Sequence, residues 1–219
     1  MSARATLLQS IRTANGGTTS LADASSAWHT IDRPYRQQGG GGRDAVVEHF
    51  VERVRDYDAT IVRTSVALLP QAVKETLAVA RTKRLLIPLG MDAVDLEALR
   101  HSGLEIVLDR GLSAPELDRV DTVLTTSTLS IAETGTIVLQ STAGQGRRAL
   151  SLIPDTHLCL VRASDIVATV PEGVKRLAST ATLPTTFISG PSATADIEMT
   201  RIKGVHGPRF LYVLLLEDC

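Results

Sequence analysis

Apolar positions along the chain switch repeatedly between helical and strand periodicity. Residues 4–15 carry Leu7, Leu8 and Ile11 at helical spacing and end at Gly16-Gly17. Residues 44–57 place Val46, Val47, Phe50 and Val54 on one helical stripe. A short β-rich run at 60–62 follows, then a helix over 71–82 and a buried strand at 85–88. Asp92 is placed to cap a helix through Leu99, with Asp95 in its first turn and Gly103 at its end. Strands are expected at 104–108 and 122–125, with a short helix at 114–120 between them. A hairpin-like segment at 132–139 and a strand at 157–162 come next. The remaining expectations are a helix from Asp165 to about Leu177, a strand at 186–189, a helix at 193–200 and the apolar run 210–216. Such alternation predicts an α/β fold in three layers, a mainly parallel sheet with helices on both faces.

The first 42 residues stand apart as an N-terminal helix and Gly-rich arm, and residues 43–219 form a single α/β domain. The arm ends in Gln37-Gln38 and a glycine run over residues 39–42, a composition that buries no core and is expected to be mobile. Trp28, the single tryptophan, falls in this stretch beside His29. It reads as a local anchor for the arm or as a partner-docking residue.

Chemistry concentrates between residues 131 and 155. Glu133 sits in Ala132-Glu133-Thr134-Gly135-Thr136, at the entry to a buried strand. Gly144-Gln145-Gly146-Arg147-Arg148 brings a flexible backbone and two guanidinium groups to the strand's far end. A carboxylate facing two arginines across strand and loop suits a small anionic ligand; a hairpin with solvated arginines is the plainer reading.

A second concentration begins at Ser189-Gly190-Pro191-Ser192-Ala193-Thr194. In parallel sheets ligands gather beyond the carboxyl ends of strands, and a strand ending at Ser189 followed by a helix offers free backbone N–H groups to an anion. Ser192 or Thr194 can equally cap that helix, with Asp196 or Glu198 completing the arrangement. His206, between Val205 and Gly207, is either a turn residue or, as a side chain able to move protons near neutrality, a proton-transfer group. Glu133 and His206 are therefore the candidate acid/base pair. Arg147, Arg148, Gly144, Gly146, Ser189, Gly190, Ser192 and Thr194 are the candidate anion-binding set.

Composition removes several function classes. A net charge of −1 and 3% aromatic residues give neither a basic footprint nor stacking platforms for nucleic acid. No apolar run approaches a membrane span, and the first residues lack a signal-peptide core, so a cytoplasmic location is expected. The two cysteines, Cys159 and Cys219, lie too far apart to ligate an iron–sulfur cluster within this chain. Cys159 reads as a small core residue, and a metal pair with His157 would still lack further ligands. No nicotinamide or flavin fingerprint accompanies Gly144-Gln145-Gly146.

Taken together, Ala132 through Thr136, Gly144 through Arg148, Pro154-Asp155-Thr156-His157-Leu158-Cys159, Ser189 through Glu198, and Gly204 through Pro208 resemble the lactate utilization protein C family, which carries the LUD domain. The resemblance extends from about residue 85 to the last residue. It implies a fold like that of sugar-phosphate isomerases, coenzyme A transferases and formyltetrahydrofolate cyclo-ligases. It also implies a role beside two iron–sulfur proteins in oxidising L-lactate to pyruvate, with the clusters on those partners and none in this chain. The chain is then a component of an oxidoreductase complex rather than a complete enzyme. Two alternatives stay open: a stand-alone non-redox enzyme acting on a small anionic metabolite, and a non-catalytic binding or regulatory subunit.

Overall fold

The computed structural model describes residues 2–17, 20–92, 94, 96–101, 103–194, 202–204 and 207–219. The chain divides into two compact units, Met1–Arg36 and Gln37–Cys219. The first holds α1 (Ala3–Ala14) and α2 (Leu21–Thr30). The second helix occupies part of the stretch read as a mobile arm. Ser20 supplies the missing signal: its hydroxyl accepts the Asp23 amide at 3.0 Å, an N-cap that starts a helix whose residues 22–30 are all exposed. Arg33 stacks 4.7 Å from the centre of the Trp28 ring, a cation–π contact within the unit.

The second unit is built from α3 (Arg43–Asp56), β1 (Thr60–Thr64), α4 (Leu69–Val79), β2 (Arg84–Ile87), α5 (Leu96–Arg100), β3 (Glu105–Leu108), α6 (Ala114–Leu117) and β4 (Thr122–Thr126). It continues through β5 (Leu129–Ile131), β6 (Thr136–Gln140), β7 (Thr156–Arg162), β8 (Ile166–Val167), α7 (Val170–Leu177), β9 (Thr185–Ile188), β10 (Ala193–Thr194), β11 (Ile202–Lys203) and β12 (Phe210–Leu216). Six strands form one sheet in the order β1-β12-β7-β4-β2-β3, and each neighbouring pair is parallel. The expected mainly parallel α/β architecture is thus present.

Period-two alternation sorts the side chains of the central strands to two faces. Cys159, Val161, Leu211, Val213 and Leu215 pack with Val47, Phe50, Val51 and Val54 of α3. Leu158, Leu160, Leu214 and Leu216 pack on the other face with Leu69, Val73 and Leu77 of α4 and Leu99 of α5. Burying each such leucine or phenylalanine contributes about 1.5–3 kcal/mol, which is why unbroken apolar runs mark these strands. Leu86 and Val123 carry a further cluster with Leu117, Val120 and Leu150.

A second sheet, in the order β8-β5-β6-β9, lies against the α3 face through Ile137 and Leu139. It is mixed: β5–β6 and β6–β9 are antiparallel, and β5–β8 is parallel. Its presence corrects two expectations. The helix expected from Asp165 begins only at Val170, because Ile166 and Val167 pair with Ser130 and Ile131 as β8. Thr169 and Glu172 then form a capping box with Pro171 in the first turn, which sets the helix start. The helix expected from Ala193 does not start there either. Ala193 and Thr194 form β10 against Lys203 and Ile202, and the Gly204 amide donates to the Ser192 carbonyl at 3.0 Å. Residues 195–201 lie outside the described residues.

Candidate functional site

The motif Gly144 through Arg148 separates into parts with different work. Gly144 bridges two strand ends: its carbonyl accepts the Thr126 amide and its own amide donates to the Leu89 carbonyl, both at 2.9 Å. Its φ of +73° and a virtual Cβ only 3.1 Å from Thr126 Oγ1 explain the glycine. The buried Gln145 braces the turn, its Oε1 accepting from Thr128 Oγ1 at 2.9 Å and from the Gln140 amide at 2.6 Å. Arg147 pairs in a fork with Asp109, whose side chain is 9% exposed, through two 2.9 Å bonds, and also donates to the Leu112 carbonyl. The Arg147 guanidinium holds the Asp109 carboxyl below its ordinary range, and Asp109 in turn raises Arg147. This loop is therefore closed on the protein itself.

Arg148 turns the other way. It opens a 3-10 turn, Arg148–Ser151, tethered by the buried Leu150, and its guanidinium donates to Ser151 Oγ at 3.1 Å. No carboxylate pairs with it among the described residues. It borders a cavity of about 290 Å³, whose polar wall includes Arg148, Ser151, His157, Ser189 and Ser192. Phe187, Pro191 and Leu211 supply apolar wall. Mixed walls of this kind, with a few convergent polar groups, are characteristic of small-molecule sites.

His157 is the group that sequence reasoning undervalued. It is 1% exposed, the second residue of β7, in register with Leu211 of β12. Burial, with a smaller contribution from the nearby Arg148 charge, pushes its pKa down to about 4, so the ring is neutral at physiological pH. Thr125 Oγ1 lies 2.8 Å from His157 Nε2 and donates to Cys159 Sγ at 3.6 Å. The Thr125 hydroxyl thus occupies Nε2, as donor or acceptor according to the ring tautomer, and Nδ1 is the nitrogen left for another partner. Burial pushes the Cys159 thiol up to about 12, so it remains protonated behind the ring. Among the described residues no group of three or more His, Cys, Asp or Glu side chains is arranged to hold a metal ion.

The remaining candidates are distributed. Ser189 and Gly190 line the cavity, and Ser189 Oγ also meets Thr136 Oγ1 at 2.7 Å. Gly190 has φ +80°, and a Cβ there would sit 2.4 Å from Tyr57 Cβ. Thr194 belongs to β10. Gly144 and Gly146 belong to the closed loop. His206 lies outside the described residues. Glu133 is at the opposite end of β6 from the arginines, and its Oε2 accepts the Val170 amide at 3.3 Å at the start of α7. It does not border the cavity.

The cavity is not where the strand-end rule placed it. Ser189 follows β9, which belongs to the mixed sheet, so its loop folds over the amino ends of β7 and β12. At the carboxyl ends of β1, β12 and β7 there is a wider opening of about 700 Å³. Its cations are already engaged: Arg63 pairs with Glu48 at 2.6 Å and with Glu217, and Arg43 donates to the Ile166 carbonyl at 2.7 Å.

Comparison with known proteins agrees with this architecture. A lactate utilization protein C of Deinococcus radiodurans is 45% identical over 186 residues, covering 84% of this chain and 85% of that protein. A lactate utilization protein C of Bacillus subtilis is 38% identical over 101 residues, covering 43% of this chain and 42% of that protein. The crystal structure of a DUF162 family protein from Deinococcus radiodurans superposes with a TM-score of 0.68 at 39% identity, covering 81% of this chain and 99% of that one. The LUD domain model matches residues 47–216, which spans both sheets and every residue of the cavity wall, and this chain therefore belongs to the LUD domain family.

Proposed function

We propose that this chain is a subunit of an L-lactate utilization system and supports oxidation of L-lactate to pyruvate together with two iron–sulfur partner proteins. The observation that carries this reading is the 45% identity to a lactate utilization protein C, extending over most of both chains. The cysteine content fits a division of labour. Of two cysteines, Cys159 is enclosed in β7 and Cys219 is far from it in sequence, so cluster ligands come from elsewhere. Among the described residues no helix is long and apolar enough to cross a membrane.

The test is L-lactate-dependent reduction of an artificial acceptor under anaerobic conditions. This chain alone, the two iron–sulfur proteins alone and all three together are compared. The reading expects activity only in the complete mixture. Equal activity without this chain, with the partners intact, contradicts it.

A further inference from the structure

Three observations converge on the cavity beside β7. The first is a guanidinium with no acidic partner among the described residues, pre-oriented by Ser151 and sitting two positions from Leu150, which anchors its turn in the core. Arg147, one residue earlier, has its carboxylate already, so the contrast is internal to the motif. The second is His157, almost completely enclosed yet part of the wall, whose Nε2 is taken by Thr125, so that Nδ1 is the ring nitrogen left for a ligand. The third is the apolar share of the wall from Phe187, Pro191 and Leu211, which suits a short hydrocarbon and disfavours an ion hydrated on every side.

Resting on the lactate-utilization reading, we infer that this cavity binds a small 2-hydroxy monocarboxylate, with Arg148 holding the carboxylate and His157 Nδ1 accepting the hydrogen bond of the 2-hydroxyl. One guanidinium matches one negative charge, and its planar fork matches a carboxylate. The Ser189 and Ser192 side chains stand on the remaining polar side of the cavity. A divalent phosphate would find one guanidinium for two charges among the described lining residues. In this arrangement His157 is a hydroxyl acceptor in the binding wall, with Nε2–H donating to the Thr125 hydroxyl.

Ligand-observed NMR on the full chain tests this with L-lactate, propionate and inorganic phosphate as probes. L-lactate should bind more tightly than propionate by several-fold and more tightly than phosphate. Arg148→Ala should weaken L-lactate by more than tenfold, and Arg147→Ala should leave it within about twofold. His157→Gln, whose amide keeps the bond to Thr125 but removes Nδ1, should erase the preference for L-lactate over propionate. Thermal melting of each variant verifies folding, and Arg148→Lys, which keeps charge without the fork, supplies an intermediate affinity if Arg148→Ala fails to fold. No L-lactate binding at millimolar concentration, phosphate binding tighter than either acid, or unchanged affinity in Arg148→Ala overturns the assignment. The two readings fail separately. If the complete mixture oxidises L-lactate at the parental rate with Arg148→Ala, the cavity is wrong and the subunit role stands. If the mixture works equally without this chain, the subunit role falls and the NMR result alone decides the cavity.

Discussion

Arg147 and Arg148 are adjacent in sequence and opposite in fate. Arg147 is spent on the fold, forked onto a nearly buried Asp109 that ties the loop after β6 to the end of β3. Arg148 has only Ser151 beside it and opens onto a cavity with a neutral, buried histidine in its wall. Two guanidinium groups in one motif therefore answer different questions, one about stability and one about ligands. What separates them is the chain direction at the 3-10 turn, set by Leu150 entering the core beside Leu86 and Val123.

The largest effect should come from removing that anchor. Leu150 is fully buried, and Leu150→Ala should cost about 3 kcal/mol in denaturant unfolding, with the Arg148 side weakened more than the Arg147 side. Hydrogen exchange around the turn and around Asp109 would show which side loosens; equal loosening would dissolve the distinction.

Next in size is the pH response of His157. Its folded pKa of about 4 lies below the ordinary histidine value of 6.5, so the unfolded chain takes up a proton that the folded chain refuses. Stability is then highest above pH 6.5 and falls as the pH drops toward 4, by at most on the order of 3 kcal/mol from this group. His157→Gln should flatten that part of the unfolding profile. An unchanged slope would mean that other groups carry it.

Arg147→Ala should cost about 1–3 kcal/mol, because Asp109 would be left enclosed without its cation. Asp109 is held below its usual pKa, so its contribution is present at neutral pH and lost as pH falls through the folded value. The Arg147→Ala deficit should accordingly shrink in acid. Arg148→Ala should change stability by less than about 0.5 kcal/mol, the ordinary cost of an exposed substitution. Between the two arginines falls Glu133→Ala, which removes one acceptor from the α7 N-terminus and should cost about 0.5–1 kcal/mol. A collapse of lactate oxidation with intact folding in Glu133→Gln would instead return Glu133 to the chemistry.

The parts of this fold written in local pattern were legible in the sequence. Unbroken apolar runs such as Leu158–Val161 read as strands covered on both faces, and the stripe Val47, Phe50, Val54 reads as a packed helix; both are buried as expected. What pattern could not give was partnership. Ile166-Val167 and Ala193-Thr194 are too short to announce themselves as strands, and each is one only because a distant segment pairs with it. The site behaved the same way. The motif around Arg148 was visible, but its division into a closed loop and an open cavity depends on Asp109, 38 residues upstream of Arg147. His157 was noticed only as a doubtful metal ligand. Its signal was a histidine inside an apolar strand, and its meaning came from Thr125 on the neighbouring strand.

The most direct measurement is the rate of L-lactate oxidation by the complete three-protein mixture carrying Arg148→Ala, set against the same mixture carrying Arg147→Ala at matched folded concentration. The account predicts that the first loses more than nine-tenths of the parental rate and the second keeps most of it. Equal rates for the two variants would contradict it.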